Sequence, residues 1–285
     1  MPSHNRLAPL LFTGLVLLQG CNGLRAIFPR HSHDDTPPDL PAGLGQPGVL
    51  LFTKTNGFRH HEAIEAGVGL FEEIAARRGW SVFHTENGAV FNRDQLARFA
   101  VTVWHNTSGD TLDKAQQRVL RSWIEGGGGF VAIHGAGGDF AYDEWPWYVE
   151  TLIGAQFIGH TVSPQFQEAE VATEVRDHPA TRHLPSRWTH TEEWYSFEAS
   201  PRGKGVTVLL SVDERSYTPE MNIPFMDEDI AMGDHPVVWH HCVGRGRTLF
   251  SALGHQAEAY ATEEVAGLLE GAVVWAARLA GVGCD

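Results

Sequence analysis

Short apolar runs alternate with amphipathic segments between residues 48 and 133, and this pattern constrains the fold more than any other feature of the chain. The first run, Val49–Thr53, is rich in residues that favour strands. In Glu62–Arg78 apolar residues recur at helical spacing, and Gly79 fits the end of a helix. Strands that alternate with helices form parallel sheets covered on both faces, so the pattern predicts an α/β fold. Further strands are predicted at Ser81–His84, Ala100–Trp104 and Phe130–Ile133, and helices at Asp94–Phe99 and Thr111–Glu125.

The second half of the chain is less regular. Strands are predicted at Val206–Val212, Pro236–Cys242 and Thr248–Leu253, followed by a closing amphipathic helix at Glu263–Leu279. Residues 160–200 and 213–235 contain Pro, Asp and polar clusters, which are typical of long loops that cover a site.

The N-terminus has the pattern of an export signal. Arg6 precedes an apolar stretch, Leu7–Leu18, which ends in Leu18-Gln19-Gly20-Cys21 and resembles a bacterial lipobox. Residues 1–20 are therefore predicted to be a lipoprotein signal peptide, with Cys21 lipidated; the alternative is an ordinary signal peptide with a chance cysteine. Residues 21–47 are predicted to be a Pro-rich tether, which leaves 48–282 as the folded domain. This organisation predicts a protein of the bacterial cell envelope that faces the periplasm or the exterior, with a lipid anchor as its only membrane contact.

Charge and cysteine content exclude several classes of protein. The chain carries 35 acidic and 21 basic residues, for a net charge of −14, and lacks the basic surface that nucleic-acid binding requires. Its 3 cysteines are too few for a disulfide framework, and the sequence leaves open whether Cys242 and Cys284 pair. The absence of a Gly-x-Ser-x-Gly motif argues against a serine hydrolase.

Histidines follow the predicted strands. His60, His105 and His134 come after the first, third and fourth strands, and His255 follows Thr248–Leu253. Because ligands of open α/β sheets bind at the carboxyl ends of the strands, these imidazoles predict a metal or acid–base cluster. Glu192 and Glu193 are the candidates for an added carboxylate from a covering loop, while a structural hydrogen bond is the alternative for His105.

Eight short segments, in order along the chain, carry a resemblance to the trehalose-utilisation (ThuA-like) family. The resemblance implies a flavodoxin-like sheet similar to that of class I glutamine amidotransferases, and a connection with sugar metabolism. His134 stands near the position of the nucleophilic cysteine of those enzymes, so amidotransferase chemistry is not implied. The segments are Thr53–His60, Gly127–His134, Trp147–Ala155, Phe157–His160, Glu193–Tyr195, Pro236–Trp239, Gly244–Arg247 and Leu253–His255.

The predicted function is an exported sugar-metabolism enzyme, a metal-dependent hydrolase or lyase that acts on a glycoside or 3-keto-glycoside. His134, His160 and His255 are the predicted ligands of a divalent metal, with Zn²⁺ expected, and His60 and Glu193 are the predicted catalytic groups. A carbohydrate is the expected small-molecule partner, and the predicted substrate-binding residues are Asn56, Arg59, Trp145, Trp194 and Tyr195. The alternatives are a non-catalytic carbohydrate-binding lipoprotein and a metal-free hydrolase that uses His255 with Glu258.

Overall fold

A nine-stranded mixed sheet lies at the centre of the structure, a computed structural model that describes residues 29–138, 145–223 and 226–284. The thirteen strands of these ranges are β1 (Gly48–Phe52), β2 (Ser81–Thr85), β3 (Val101–His105), β4 (Gly129–Ile133), β5 (Phe157–His160), β6 (Gln167–Thr173), β7 (Arg187–Glu192), β8 (Tyr195–Phe197), β9 (Thr207–Val212), β10 (Glu220–Ile223), β11 (Met226–Asp229), β12 (Pro236–Val243) and β13 (Gly246–Ser251). The α-helices are α1 (His61–Arg78), α2 (Arg93–Leu96), α3 (Lys114–Glu125) and α4 (Glu263–Ala276).

The strand order in the large sheet is β2-β1-β3-β4-β13-β12-β9-β6-β7. The first five strands in this order pair in parallel, and the remaining pairs are antiparallel. The pairing changes from parallel to antiparallel at β12 and β13 because only two residues connect these strands. Two residues are enough for a hairpin but too few for the crossover that a parallel pair needs. Gly244 in this turn has a φ of 58°, which glycine adopts without steric cost. The predicted α/β fold is confirmed, with an antiparallel extension on one side.

Helices cover both faces of the parallel strands, and β1, β3 and β4 are buried at every residue. Helix α1 contacts α4, and α2 contacts α3. The ends of these helices follow the local sequence: α1 stops at Gly79, which has a φ of 70°, and α3 starts at a capping box formed by Asp113 and Gln116.

The prediction of long loops at 160–200 and 213–235 is wrong in part. Strands β6 and β7 extend the large sheet, β5 pairs with β8, and β10 pairs antiparallel with β11. In β6 the buried residues Ala169, Val171 and Thr173 alternate with the more exposed Glu168, Glu170 and Ala172. Such alternation is typical of a strand with one solvent-exposed face, and it resembles a loop when composition alone is considered.

The segment before β1 is irregular, but it packs against the domain, which differs from the expected tether. The main-chain N–H of Arg30 donates to Asn56 O at 2.7 Å. Asp34 pairs with Lys54 and accepts from the N–H of Gly88. Leu40 packs against the core. The predicted signal peptide and Cys21 lie outside the described residues.

A disulfide joins Cys242 in β12 to Cys284, with the two Cα atoms 5.6 Å apart. The sequence had left this pairing open. None of the helices within the described ranges is long and apolar enough to cross a membrane.

Candidate metal centre

Three histidines meet at the carboxyl edge of the parallel strands. His134 directly follows β4, His255 follows β13, and His60 immediately precedes α1. Glu193 reaches the same point from the short link between β7 and β8. One potential ligand atom from each of these four residues lies within 4.8 Å of the other three.

The four side chains are in direct contact. His255 Nδ1 lies 2.9 Å from Glu193 Oε2 and 3.1 Å from His134 Nε2. His134 Nε2 lies 3.5 Å from Glu193 Oε2. The His60 ring is 4.6 Å from that of His255 and 5.0 Å from that of His134, centroid to centroid. This donor set of three imidazoles and one carboxylate is one that divalent transition metals accept.

His134 is held in one orientation. Its Nδ1 lies 2.7 Å from Ala252 O, and because a carbonyl only accepts, Nδ1 carries the proton and Nε2 presents a lone pair to the cluster. The Tyr195 ring packs on the imidazole with centroids 4.2 Å apart. Asn106 fixes the following turn by accepting from the N–H of Gly135 at 3.1 Å.

The electrostatics of the cluster suit a cation. Burial, together with neighbouring His255 and His134, holds the pKa of His60 well below its usual range, so this imidazole is neutral. Burial alone would raise the pKa of Glu193, but His160 and His255 hold it well below its usual range. Among the described residues, His60 Nδ1 is a buried nitrogen without a hydrogen-bond partner. A buried nitrogen in this state fits a metal ligand.

His160, a predicted metal ligand, lies one layer outside the four-residue cluster, and His60 occupies the cluster instead. His160 Nδ1 lies 2.8 Å from Thr161 O and 3.1 Å from Glu193 Oε1. Gln165 also donates to Glu193 Oε1, at 2.5 Å. His160 therefore supports the carboxylate, and its contact with Thr161 at the end of β5 directs the ring toward Glu193.

The predicted substrate-binding residues lie mostly outside the cluster. Trp194 and Tyr195, where β8 begins, pack inward and are 1 % and 3 % exposed, which leaves no open ring face for the sugar stacking predicted for them. Trp145 is half-buried and packs on Tyr148. Asn56 is buried and donates to the main-chain oxygens of Ser32 and Asp110, while Arg59 pairs with Glu86.

Two further sequence expectations are resolved by specific contacts. The carboxylate partner of His255 is Glu193, whereas Glu258 is exposed in the turn Ala257–Ala261. His105 is fully buried, and its Nε2 donates to Ala63 O at 2.9 Å. This is the structural hydrogen bond that the sequence left open as the alternative to a role in the cluster.

Sequence reasoning missed Asn106 and the aromatic rings beside the cluster. Asn106 follows β3 and links both sides of the site, because its Nδ2 donates to Gly254 O. The Phe58 ring contacts His60, and the Phe166 ring contacts His255, with centroids 4.8 Å and 4.9 Å apart. The position of Asn106 at the end of a strand could have indicated that it belongs to the site. No feature of the sequence indicates this for Phe166.

The fold and the strand-end cluster define an α/β protein with a His/Glu centre. The family model described as trehalose utilisation (ThuA) matches residues 48–276, and the chain belongs to this family. No protein of curated function matches the chain.

Solved structures support the assignment. A ThuA-like protein from Bacteroides uniformis is 26% identical, with a TM-score of 0.68 over 85% of this chain and 95% of its own. A ThuA-like protein from Parabacteroides merdae is 18% identical, with a TM-score of 0.60 over 81% of this chain and 89% of its own. The second likeness shows the fold alone.

Proposed function

We propose that this protein is a metal-dependent enzyme that acts on a sugar derivative. The observation that carries the proposal is the convergence of four potential ligand atoms, from His60, His134, Glu193 and His255, within 4.8 Å. The family description, trehalose utilisation, supports a carbohydrate substrate. A glycoside or 3-keto-glycoside, cleaved by hydrolysis or by elimination, is the substrate class we propose.

Zn²⁺ is the ion we expect, because three imidazoles and one carboxylate suit it. When bound, the ion would polarise a carbonyl or activate water. His60 and Glu193, the predicted catalytic groups, serve as ligands in this arrangement. The side chain of His160 is 29% exposed and contacts Glu193, so it lies between the cluster and solvent. In this position it is the group we propose for proton exchange with the substrate.

Export to the cell envelope is part of the proposal. The Cys242–Cys284 disulfide is typical of proteins in oxidising compartments, and it agrees with the export pattern at the N-terminus. We propose that lipidation at Cys21 anchors the protein there.

The proposal is tested with protein purified without a nickel column. We expect one divalent ion per chain by elemental analysis, and turnover of at least one member of a panel of glycosides and their 3-keto forms. His134→Ala should lose both properties. His241→Gln, at a histidine that contacts Thr151 O outside the cluster, is the matched control and should retain them.

Two results would contradict the proposal. Wild-type protein that binds no divalent ion would exclude the metal centre. A bound ion with carbohydrate binding but without turnover would favour the non-catalytic binding protein.

A further inference from the structure

Glu192 lies directly behind the candidate metal centre. It is the last residue of β7 and is 1 % exposed. Its carboxylate accepts main-chain hydrogen bonds from Gly254 at 2.7 Å, Glu193 at 2.9 Å and His255 at 3.3 Å. These three N–H groups belong to the two segments that carry Glu193 and His255, so one carboxylate joins the segments that supply two of the four ligands.

The same carboxylate adds charge to the site. Glu192 and Glu193 are adjacent and buried. In the parts of the chain that the structure describes, their ion pairs all involve histidine, and none involves Lys or Arg. Two buried carboxylates without a lysine or arginine partner are costly, because the interior solvates charge poorly. A bound dication would balance both charges.

We propose that Glu192 is a positioning residue of the metal centre, which orients the Glu193 and His255 ligands through their main chain and places a second carboxylate beside the ion. This inference rests on the proposed function, since it assigns a role at the same site. It adds a residue that contacts no ion itself.

The test is the affinity of Glu192→Gln for Zn²⁺. Gln keeps the size and one acceptor oxygen but removes the charge and replaces the other oxygen with a donor. We expect the dissociation constant for Zn²⁺, measured by competition with a chromophoric chelator, to rise about 10- to 100-fold, the usual effect of losing an outer partner of a metal ligand. The increase in melting temperature that Zn²⁺ produces should shrink in parallel.

Glu214→Gln is the matched control. Glu214 also accepts from two main-chain N–H groups, those of Met232 and Gly233, and it contacts His235 at 2.8 Å. Because it lies outside the cluster, its variant should lose stability without losing affinity for Zn²⁺.

The outcomes separate this inference from the proposed function. If wild-type protein binds Zn²⁺ and Glu192→Gln binds it equally well, with only a lower melting temperature of the metal-free form, Glu192 is merely structural and the inference is wrong. If wild-type protein binds no divalent ion, the metal centre and the role of Glu192 are both excluded.

A second variant keeps the test decisive if Glu192→Gln fails to fold. Glu192→Asp keeps the charge but retracts the carboxylate by one methylene. We expect it to bind Zn²⁺ at least about 3-fold more weakly than wild type, and unchanged affinity would overturn the positioning role.

Discussion

His134 has a backbone conformation that is unusual for its residue type. Its φ is 47°, in the left-handed region, while its side chain is fully buried. This conformation costs an L-residue about 1–2 kcal/mol relative to the usual helical one. The strained residue is the one that presents Nε2 to the cluster. This agrees with the tendency of backbone strain to occur at functional sites.

The backbone strain at His134 predicts which of two variants at this position is the more stable. His134→Ala and His134→Gly both remove the imidazole and its hydrogen bond to Ala252 O, and both should abolish metal binding. The glycine variant, however, adopts a φ of 47° without a Cβ clash, so its free energy of unfolding should exceed that of the alanine variant by about 1 kcal/mol. Urea denaturation of the metal-free proteins measures this difference. An alanine variant that is the more stable of the two would contradict the conformation described here.

At the scale of single elements, β12 carries a histidine that links stability to pH. The His240 ring stacks on His178 with centroids 4.6 Å apart and packs against Trp275. Burial lowers the pKa of His178 to about 3, helped by His240, Arg182 and Arg247. Burial lowers the pKa of His240 to about 4, helped by His241 and Arg247. In the unfolded chain these imidazoles take up a proton near about pH 6.5. In the folded protein they stay neutral to a much lower pH.

The expected pH dependence follows from these directions. Between a pH near 6.5 and the folded pKa values, the unfolded chain binds more protons than the folded one. Each histidine therefore makes its full contribution to the free energy of unfolding above about pH 6.5. This contribution falls on acidification by about 1.4 kcal/mol per pH unit. His240→Phe should make the free energy of unfolding, measured in urea between pH 7 and 4.5, less sensitive to pH. His31→Gln, at a side chain that is 65% exposed, should leave the slope unchanged, and an unchanged slope in His240→Phe would contradict the prediction.

The two halves of the fold differ in how well their elements could be predicted. Strands β1, β3 and β4 are buried on both faces, so they are continuous apolar runs that the sequence reveals. Strands β6 and β7 have an exposed polar face, and their pairing depends on neighbours that are distant in the chain. Composition therefore suggested a loop where the structure has strands.

The candidate site shows the same limit. The strand-end rule predicted that His60, His134 and His255 would meet, and the structure brings them together. The rule could not separate His105 from the members of the cluster, because the hydrogen bond between His105 Nε2 and Ala63 O depends on tertiary packing. The assignment of the four side chains as metal ligands stays a prediction.

At the scale of the whole molecule, the disulfide constrains the C-terminal part of the chain. Cys242 and Cys284 are 42 residues apart, and the intervening chain includes β13 and α4. Closing a loop of this length lowers the entropy of the unfolded chain and stabilises the fold by about 3–4 kcal/mol. Cys284→Ser should reduce the free energy of unfolding by this amount, and a reductant should affect wild type but leave the variant unchanged. Equal stability of the two oxidised proteins would show that the bond contributes nothing.

The proposed anchor also acts at this scale. Cys21→Ala should move the protein from the membrane fraction to the soluble fraction, because a lipid chain supplies the only strong membrane attraction we expect. Cell fractionation followed by immunoblotting measures the shift, with Cys242→Ala as a control that keeps Cys21. A Cys21→Ala protein that still pellets with membranes would exclude lipidation as the anchor.

The docked segment before β1 determines which side of the domain is nearest to such an anchor. Its contacts with Lys54, Asn56 and Gly88 all lie just beyond the carboxyl ends of β1 and β2, on the edge of the sheet that carries the His/Glu centre. Eight residues lie between Cys21 and Arg30, and a chain of that length spans at most about 30 Å. If Cys21 is lipidated as we propose, the edge of the sheet that carries the His/Glu cluster should lie within about that distance of the lipid surface, where small sugars would reach it more readily than bulky polymers.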